Sequence, residues 1–385
     1  MIHVLHLLTC LRLGGAERIV ADLVASSEKS RFRHTVCHLH GPDDLSDELR
    51  RAGCDVICLD SPERHGWRDA AAKLKPILAR IRPDVVHSAT FAANVAARLA
   101  VGRKGVPLVS WLVSMEYDPE TVRAAGLKPW KNEVFRFIDG LSARYAGNRF
   151  VACSDAVLAS ATDRLRVPRE RIEVIYNPVN LDLVQAAPGE GAELRRSLGI
   201  PDEAVVYFNV GRMDAPKAQG LLIEAFREVS AARSDAWLVL VGRGVLEQSL
   251  HERVQALGLA DRVRFVPFAD RVAPFLDMAD VFVFPSLLEG LPVALLEAMC
   301  VGLPVIASDI APHLEVIEDG ATGLIVPAGS AAALAAAMER LHADKALRGR
   351  LGGAGREQAL ARFTTRAIVP QWEQLFTRLA GRQDA

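Results

Sequence analysis

The feature that most constrains this chain is a regular alternation of two kinds of segment. Short apolar runs, "IHVLHLL" (2–8), "HTVCHLH" (34–40), "CDVICLD" (54–60), "DVVHSAT" (84–90), "PLVSWLV" (107–113) and "RFVACS" (149–154), are separated by longer segments with helical spacing, such as "AERIVADLVASSE" (16–28) and "WRDAAAKLKPILARI" (67–81). Near-continuous apolar runs mark strands buried on both faces, and strand–helix alternation supplies the helices that bury them. The pattern predicts a parallel sheet covered on both sides.

The pattern restarts after "NPVNLDLVQAAPGEGAELRRSLGIPDEA" (177–204), which is rich in Pro, Gly and acidic residues and reads as a crossing between domains. "AVVYFNVGR", "AWLVLVG", "VRFVPF", "VFVFPS", "PVIAS" and "GLIVP" then continue the strand series. The expected organisation is an α/β chain of two doubly wound domains, 1–183 and 184–365, followed by a last helix over 366–385, entered through Pro370, that packs back on the first domain. The Ala-rich stretch 330–363 reads as two helices split at Gly352-Gly353, and no fixed repeat period suggests a solenoid. Open parallel sheets bind ligands at the carboxyl ends of their strands, so two such domains facing a central cleft place the chemistry in strand-end loops.

Composition narrows the class of function. A length of 385 residues, half of them hydrophobic and 24% charged, suits a multidomain globular enzyme. A net charge of −1 gives no global attraction for nucleic acid. Six scattered cysteines (Cys10, Cys37, Cys54, Cys58, Cys153 and Cys300) lack zinc spacing and fit reduced thiols. The N-terminal "MIHVLHLLTCLRLGG" has no basic region or cleavage site and reads as a first strand. No window approaches the roughly 18 uninterrupted apolar residues of a membrane span. The expectation is a cytoplasmic protein, with a weak peripheral membrane contact left open; its oligomeric state is not legible.

One segment raises a question of charge. "FPSLLEGLPVALLEAMCVGLPVIASD" (284–309) is apolar, yet it carries Glu289 and Glu297 eight positions apart. A strand–loop–helix reading resolves this. "LLEG" is the loop, Pro292 the first helical residue, and Gly302 with Pro304 the stop. Both acids then reach a cleft mouth rather than a core, where carboxylates accept sugar hydroxyls. The competing reading is one exposed acid and one acid paired with a buried cation. Arg212 and Lys217 follow the strand "VVYFNVG"; two cations there neutralise a diphosphate, or else form a solvated surface pair. Gly14-Gly15, between the first strand and first helix, lets backbone approach a ligand, although tight turns use such pairs as well.

These residues carry a resemblance. "EGLPVALLE" resembles the E-x7-E motif of retaining nucleotide-sugar glycosyltransferases of family 4, which have the GT-B fold of two Rossmann-like domains. "ADVFVFPSLLEGLPVALLEAMCVGLPVIASDIAPHLEVIEDGATGLIVP", "FNVGRMDAPKAQGLLIEAF" and "LVGRGVLEQSLHERVQALGLADRVRFVPF" are similar to that family's second domain, though the family often has an acid where Arg243 stands. "RLGGAERIVADLV" is similar to its N-terminal Gly-Gly-Ala-Glu loop.

The resemblance implies a nucleotide diphosphate sugar as donor and no separate cofactor. It implies that Glu297 binds the ribose hydroxyls and Glu289 those of the transferred sugar. Backbone at Gly290 and Leu291 would touch sugar and phosphate, and the base would rest near Phe268. Arg212 and Lys217 would hold the diphosphate, with no metal, since no D-x-D stands in a strand-end loop. The acceptor, a glycan, lipid-linked sugar or small molecule, would bind the first domain. Many members carry a histidine after the strand that here reads "VPLVSWLVSMEYD"; this chain has Val113-Ser114-Met115-Glu116. Ser114, Glu116 or His87, read as ending the preceding strand, are the acceptor-side candidates, with Asn94 behind them. An epimerase of similar fold, or a nucleotide-sugar-binding homologue without turnover, are the alternatives.

The segment "AAGLKPWKNEVFRFIDGLSARYAGNRF" mixes Lys128, Trp130, Lys131, Phe135 and Arg136. It suits a lipid-facing helix, or else an acceptor-side lid or a solvated helix, and Glu133 and Asp139 weigh toward the latter.

Overall fold

The computed structural model describes residues 1–63, 66–102, 105–124, 128–145, 149–267 and 271–381. The chain divides into two compact units, Met1–Pro178 with Thr365–Ala385, and Val179–Thr364.

In the first unit the strands are β1 (Ile2–Leu8), β2 (Phe32–His38), β3 (Asp55–Cys58), β4 (Val85–Ala89), β5 (Leu108–Leu112), β6 (Arg149–Ala152) and β7 (Ile172–Val174). They form one parallel sheet in the order β3-β2-β1-β4-β5-β6-β7. In the second unit β8 (Val205–Val210), β9 (Ala236–Val241), β10 (Val263–Val266), β11 (Val281–Phe284), β12 (Val305–Ser308) and β13 (Leu324–Val326) form a parallel sheet in the order β10-β9-β8-β11-β12-β13. In each sheet the order reverses beside the unit's first strand, which makes the switch points β1/β4 and β8/β11. β4, β5, β9, β11 and β12 are buried at every residue, as two-sided helical cover requires, while the edge strands β3, β7 and β10 are only partly covered. The expected two-domain α/β fold is what the chain adopts.

The boundary lies earlier than 183/184, because the presumed crossing is folded. Helices Leu181–Val184 and Glu190–Ser197 stand within it. Gly191 N–H donates to Asp277 at 3.0 Å, and Arg195 donates to the Met278 carbonyl and to Asp280, each at 2.8 Å. These bonds tie 179–204 to the second unit.

The stretch 330–363 also differs from expectation. The break falls at Asp344, whose carboxylate caps Leu347 N–H at 2.8 Å, and the helix Lys345–Arg362 runs straight through Gly352-Gly353. Gly352 serves contact rather than termination: a Cβ there would lie 2.1 Å from the Gly302 carbonyl.

The last helix, Thr365–Leu379, holds Pro370 in its interior rather than at its entry, because the turn before it is already packed through buried Ile368 and Val369. Its Trp372 and Phe376 cover one face of the first sheet. No helix of the described residues is long and apolar enough to cross a membrane.

Candidate active site

In the second unit the loops after β8, β9 and β11 are built against one another. After β8, Gly211 leads into the short turn Ala215–Lys217, and Ala218 takes a left-handed conformation (φ 53°) to start the helix Gln219–Ala232. The loop after β9 lies directly on this one. Met213 N–H donates to the Arg243 carbonyl at 2.8 Å, and Leu246 N–H to the Met213 carbonyl at 3.0 Å. The approach requires glycine: a Cβ on Gly242 (φ +140°) would sit 2.1 Å from the Gly211 carbonyl, and one on Gly244 would sit 2.2 Å from the Met213 carbonyl. Gly242→Ala is therefore expected to cost about 2–4 kcal/mol. The readout is a lower denaturation midpoint; a midpoint equal to wild type would show that the two loops are not in contact.

The β11 loop joins through Leu287 N–H, which donates to the Pro216 carbonyl at 2.7 Å. This brings Lys217 Nζ to 2.5 Å from Glu289 Oε1, with the Lys217 side chain 20% and the Glu289 side chain 10% exposed. The ammonium also stands 5.1 Å from the centre of the Phe284 ring. Half-buried Gly290 and buried Leu291 follow. The helix Val293–Val301 begins one residue later than expected, with Pro292 as its N-cap and no side-chain cap, so its first N–H groups point into the loop region. Glu297 is its fifth residue and half-buried, and Gly302 (φ 88°) ends it as expected.

Arg212 is not brought to this pair: its side chain is 75% exposed and bonded to Asp214. Phe268 lies outside the described residues. One group beside the pair was not anticipated. His313, after β12, is fully buried; its Nδ1 stands 2.9 Å from the Ser308 carbonyl, and Ser308 Oγ donates to the Ser286 carbonyl at the start of the β11 loop. Burial, opposed by the Ser308 bond and reinforced by the Lys217 charge, pushes this imidazole down to about 4. It is neutral and clamps the β11 and β12 loops together. The strand-end rule that singled out Lys217 applies equally to His313, but a lone histidine in an apolar run carried no separate signal.

In the first unit a pocket opens at the carboxyl ends of β4 and β5. It is lined among others by Thr90, Asn94, Ser114, Glu116, Tyr117 and Asp139. Its room is about 20 Å³, enough for one water and too little for a sugar ring without adjustment. Ser114 Oγ donates to Glu116 at 3.3 Å, Tyr117 Oη to Asp139 at 2.8 Å, and buried Arg98 pairs with Asp139. Burial and the Asp139 charge push the Glu116 carboxyl up to about 7, against the pull of Ser114 and Arg98. Asn94 is buried, accepting from Ser88 at 2.7 Å and donating to the Trp111 carbonyl at 3.2 Å. Thr90 stands at φ 73°, a strained conformation for a β-branched residue, and its hydroxyl meets that of Thr9 at 2.6 Å.

His87 is absent from this pocket, which corrects its reading as a strand-end residue. It is the third of five residues in β4 and 1% exposed, facing Trp111 and Trp372 from within the sheet face. Gly14 and Gly15 begin the helix Gly15–Ser26 after β1. Gly14 is extended (φ −130°), a Cβ there would press on the end of the Glu17 side chain and touch the Arg12 carbonyl at an ordinary 3.9 Å, and one on Gly15 would meet nothing within 4 Å. Local packing therefore does not demand glycine at either position.

Comparison with known proteins identifies the family. The profile of Glycosyl transferases group 1 matches residues 191–358, and that of Glycosyltransferase Family 4 matches residues 13–183. A lipopolysaccharide core biosynthesis glycosyltransferase, LpsD of Rhizobium meliloti, is 31% identical over 77% of this chain and 86% of its own length. A D-inositol 3-phosphate glycosyltransferase of Streptomyces avermitilis is 29% identical over 72% of this chain and 61% of its own. Among solved structures, Anabaena Alr3699/HepE in complex with UDP-glucose superposes with a TM-score of 0.83, at 22% identity, over 98% of this chain and 100% of its own. The two profiles fall one on each unit, and the fold is that of GT-B enzymes. The chain belongs to the family 4 glycosyltransferases.

Proposed function

We propose that this glycosyltransferase takes a sugar from a nucleoside diphosphate donor and passes it, with retention, to a hydroxyl of an acceptor. The observation that carries the reading is the Lys217–Glu289 pair beside the uncapped start of the Val293–Val301 helix. A cation held in place and the uncapped N–H groups at the start of the helix, at the β8/β11 switch point, suit a diphosphate. A paired carboxylate is released to accept sugar hydroxyls once the phosphate takes its lysine. HepE, of the same fold, is solved with UDP-glucose, which supports a nucleotide-sugar donor.

In this reading Lys217 meets the diphosphate directly and Arg212 swings in from solvent to join it. Glu289 holds the transferred sugar, Glu297 the ribose hydroxyls, and Gly290 and Leu291 offer backbone to sugar and phosphate. The resemblance assigns Phe268, outside the described residues, to the base. Gly14 and Gly15, which packing does not require, leave backbone room for a ligand at the end of β1. Ser114 and Glu116 face the acceptor. The bond from the anomeric carbon to the phosphate oxygen breaks with its electron pair going to the diphosphate. The acceptor oxygen bonds to that carbon on the same face and passes its proton to the departing phosphate. No protein base and no metal ion are needed for this balance: Lys217 and Arg212 carry the charge, and the enzyme contributes position and electrostatics.

The test is a thermal-shift screen of nucleoside diphosphates and their sugars. A cognate donor at a hundred times its Kd is expected to stabilise the protein by about 2.7 kcal/mol. If no member of a broad panel moves the transition, the donor reading fails.

A further inference from the structure

The helix Pro129–Tyr145 shows two unlike faces. Inward, Asp139 is 3% exposed, paired with Arg98 and bonded by Tyr117, and it lines the pocket described above; Phe135 packs edge-to-face on Phe91, 5.3 Å between centres. Outward, at spacings of four, three and four, stand Trp130, Val134, Phe137 and Leu141, exposed by 63, 49, 66 and 41%. That spacing lays them in a single stripe along the helix. Scattered exposed apolar residues need no explanation, but a continuous aromatic and aliphatic stripe does.

The charges around the stripe select its partner. Lys128, Lys131 and Arg144 flank it, and Lys131 Nζ lies 5.7 Å from the centre of the Trp130 ring. The segment 128–145 contains two acids. Asp139 is turned inward onto Arg98, and Glu133 is engaged by Arg136 at 2.9 Å. The acids that argued from sequence against a lipid-facing helix are thus neutralised or hidden, and Phe135 is not part of the exposed face.

We propose that the Pro129–Tyr145 helix docks the enzyme on an anionic lipid bilayer. The helix lies in the interface with Val134, Phe137 and Leu141 in the acyl boundary and Trp130, Lys128, Lys131 and Arg144 at the headgroups. Trp130, at the helix start, suits the headgroup level. The same helix then offers the pocket side, with Asp139, and the membrane side on opposite faces, so docking sets the acceptor-side pocket at a fixed height above the lipid. Glycosyl transfer is not needed for docking, and its test requires no acceptor.

The full chain is sedimented with vesicles of phosphatidylcholine alone and of phosphatidylcholine mixed with phosphatidylglycerol. Wild type is expected to co-sediment with the mixed vesicles only, and less so as salt rises. Trp130→Ser with Phe137→Ser, and separately Lys131→Glu with Arg144→Glu, are expected to weaken binding by about tenfold or more with the thermal midpoint unchanged, since these side chains are at the surface. The idea is overturned if wild type ignores the anionic vesicles, if either double variant binds them like wild type, or if the wild type is a dimer that the Trp130/Phe137 variant converts to monomer.

Discussion

Lys217→Ala is expected to lower kcat by about 10²–10³-fold, the loss typical of removing one electrostatic contact to a developing anion. The argument starts from the ligand-free pair. Lys217 Nζ is fixed by Glu289 at 2.5 Å and by the Phe284 ring below it, so the cation is in place before any donor arrives. In the proposed reaction negative charge grows on a leaving diphosphate as the glycosidic bond breaks, and a preplaced ammonium would stabilise that state more than the ground state. Glu289→Gln is expected to cost a comparable factor for a different reason. The shape survives, but the amide no longer balances the ammonium and offers a donor where sugar hydroxyls need an acceptor. Lys217→Arg keeps the charge in a rigid planar fork that does not fit the Phe284–Glu289 niche, and it should recover only part of the rate. Both positions are in strand-end loops, but Lys217→Ala and Glu289→Gln each leave a mostly buried charge without its partner, so a lower thermal midpoint is expected and rates are compared well below it. Wild-type rates in both Lys217→Ala and Glu289→Gln would falsify the site assignment.

Much of this was legible in sequence because the relevant signals are local. Twelve of the thirteen strands of the described residues coincide with apolar runs, and the Glu289–Glu297 segment folds as its Pro and Gly punctuation indicates. The one strand not read, β7, carries Glu173 between Ile172 and Val174 and so shows no continuous apolar run, whereas β13, equally short and at a sheet edge, is apolar throughout. Where local rules misled, a tertiary contact had prevailed. Gly352 reads as a helix stop, but it is a glycine because the Gly302 carbonyl lies against it. Pro370 reads as a helix start, but the buried Ile368 and Val369 hold the preceding turn in place. Arg212 and Lys217 read as an equivalent pair, yet one turns to solvent and Asp214 while the other turns inward, and residue spacing cannot distinguish them. His87 reads as a strand end because strand boundaries are the least secure part of a pattern; the sheet register carries it to a wholly different role.

That role yields a second large effect, on stability in acid. The register sets His6 of β1 directly opposite His87 of β4, and His34 of β2 diagonally beside them. His6 Nδ1 stands 2.9 Å from His87 Nδ1, and His6 Nε2 stands 2.9 Å from His34 Nδ1. Exposure is 0, 1 and 4% for His6, His87 and His34, with Trp111, Trp372 and Phe376 packed around them. Burial pushes His34 and His87 down to about 3, helped at His34 by Lys29 and His3, and lowers His6 well below the ordinary value, helped by its two neighbours. All three are therefore neutral in the fold, and the unfolded chain takes up their protons below about pH 6.5. Their contribution is complete above that pH and is lost as pH falls toward 3. Glu116 acts in the opposite direction, because its raised carboxyl pKa makes the folded state bind a proton first between about 7 and its ordinary value. Three imidazoles against one carboxyl leave a net loss of about 2.5 kcal/mol as pH falls from 6 to 5. Fluorescence of Trp111 and Trp372, which border the array, reports the unfolding of the first unit. Replacing His34 and His87 with Gln removes two of the three titrating groups, so the dependence should flatten or reverse even if the variant is less stable at pH 7. A wild-type midpoint that stays constant from pH 7 to 5 would mean that the three rings take up protons inside the fold, and the neutral array would have to be abandoned.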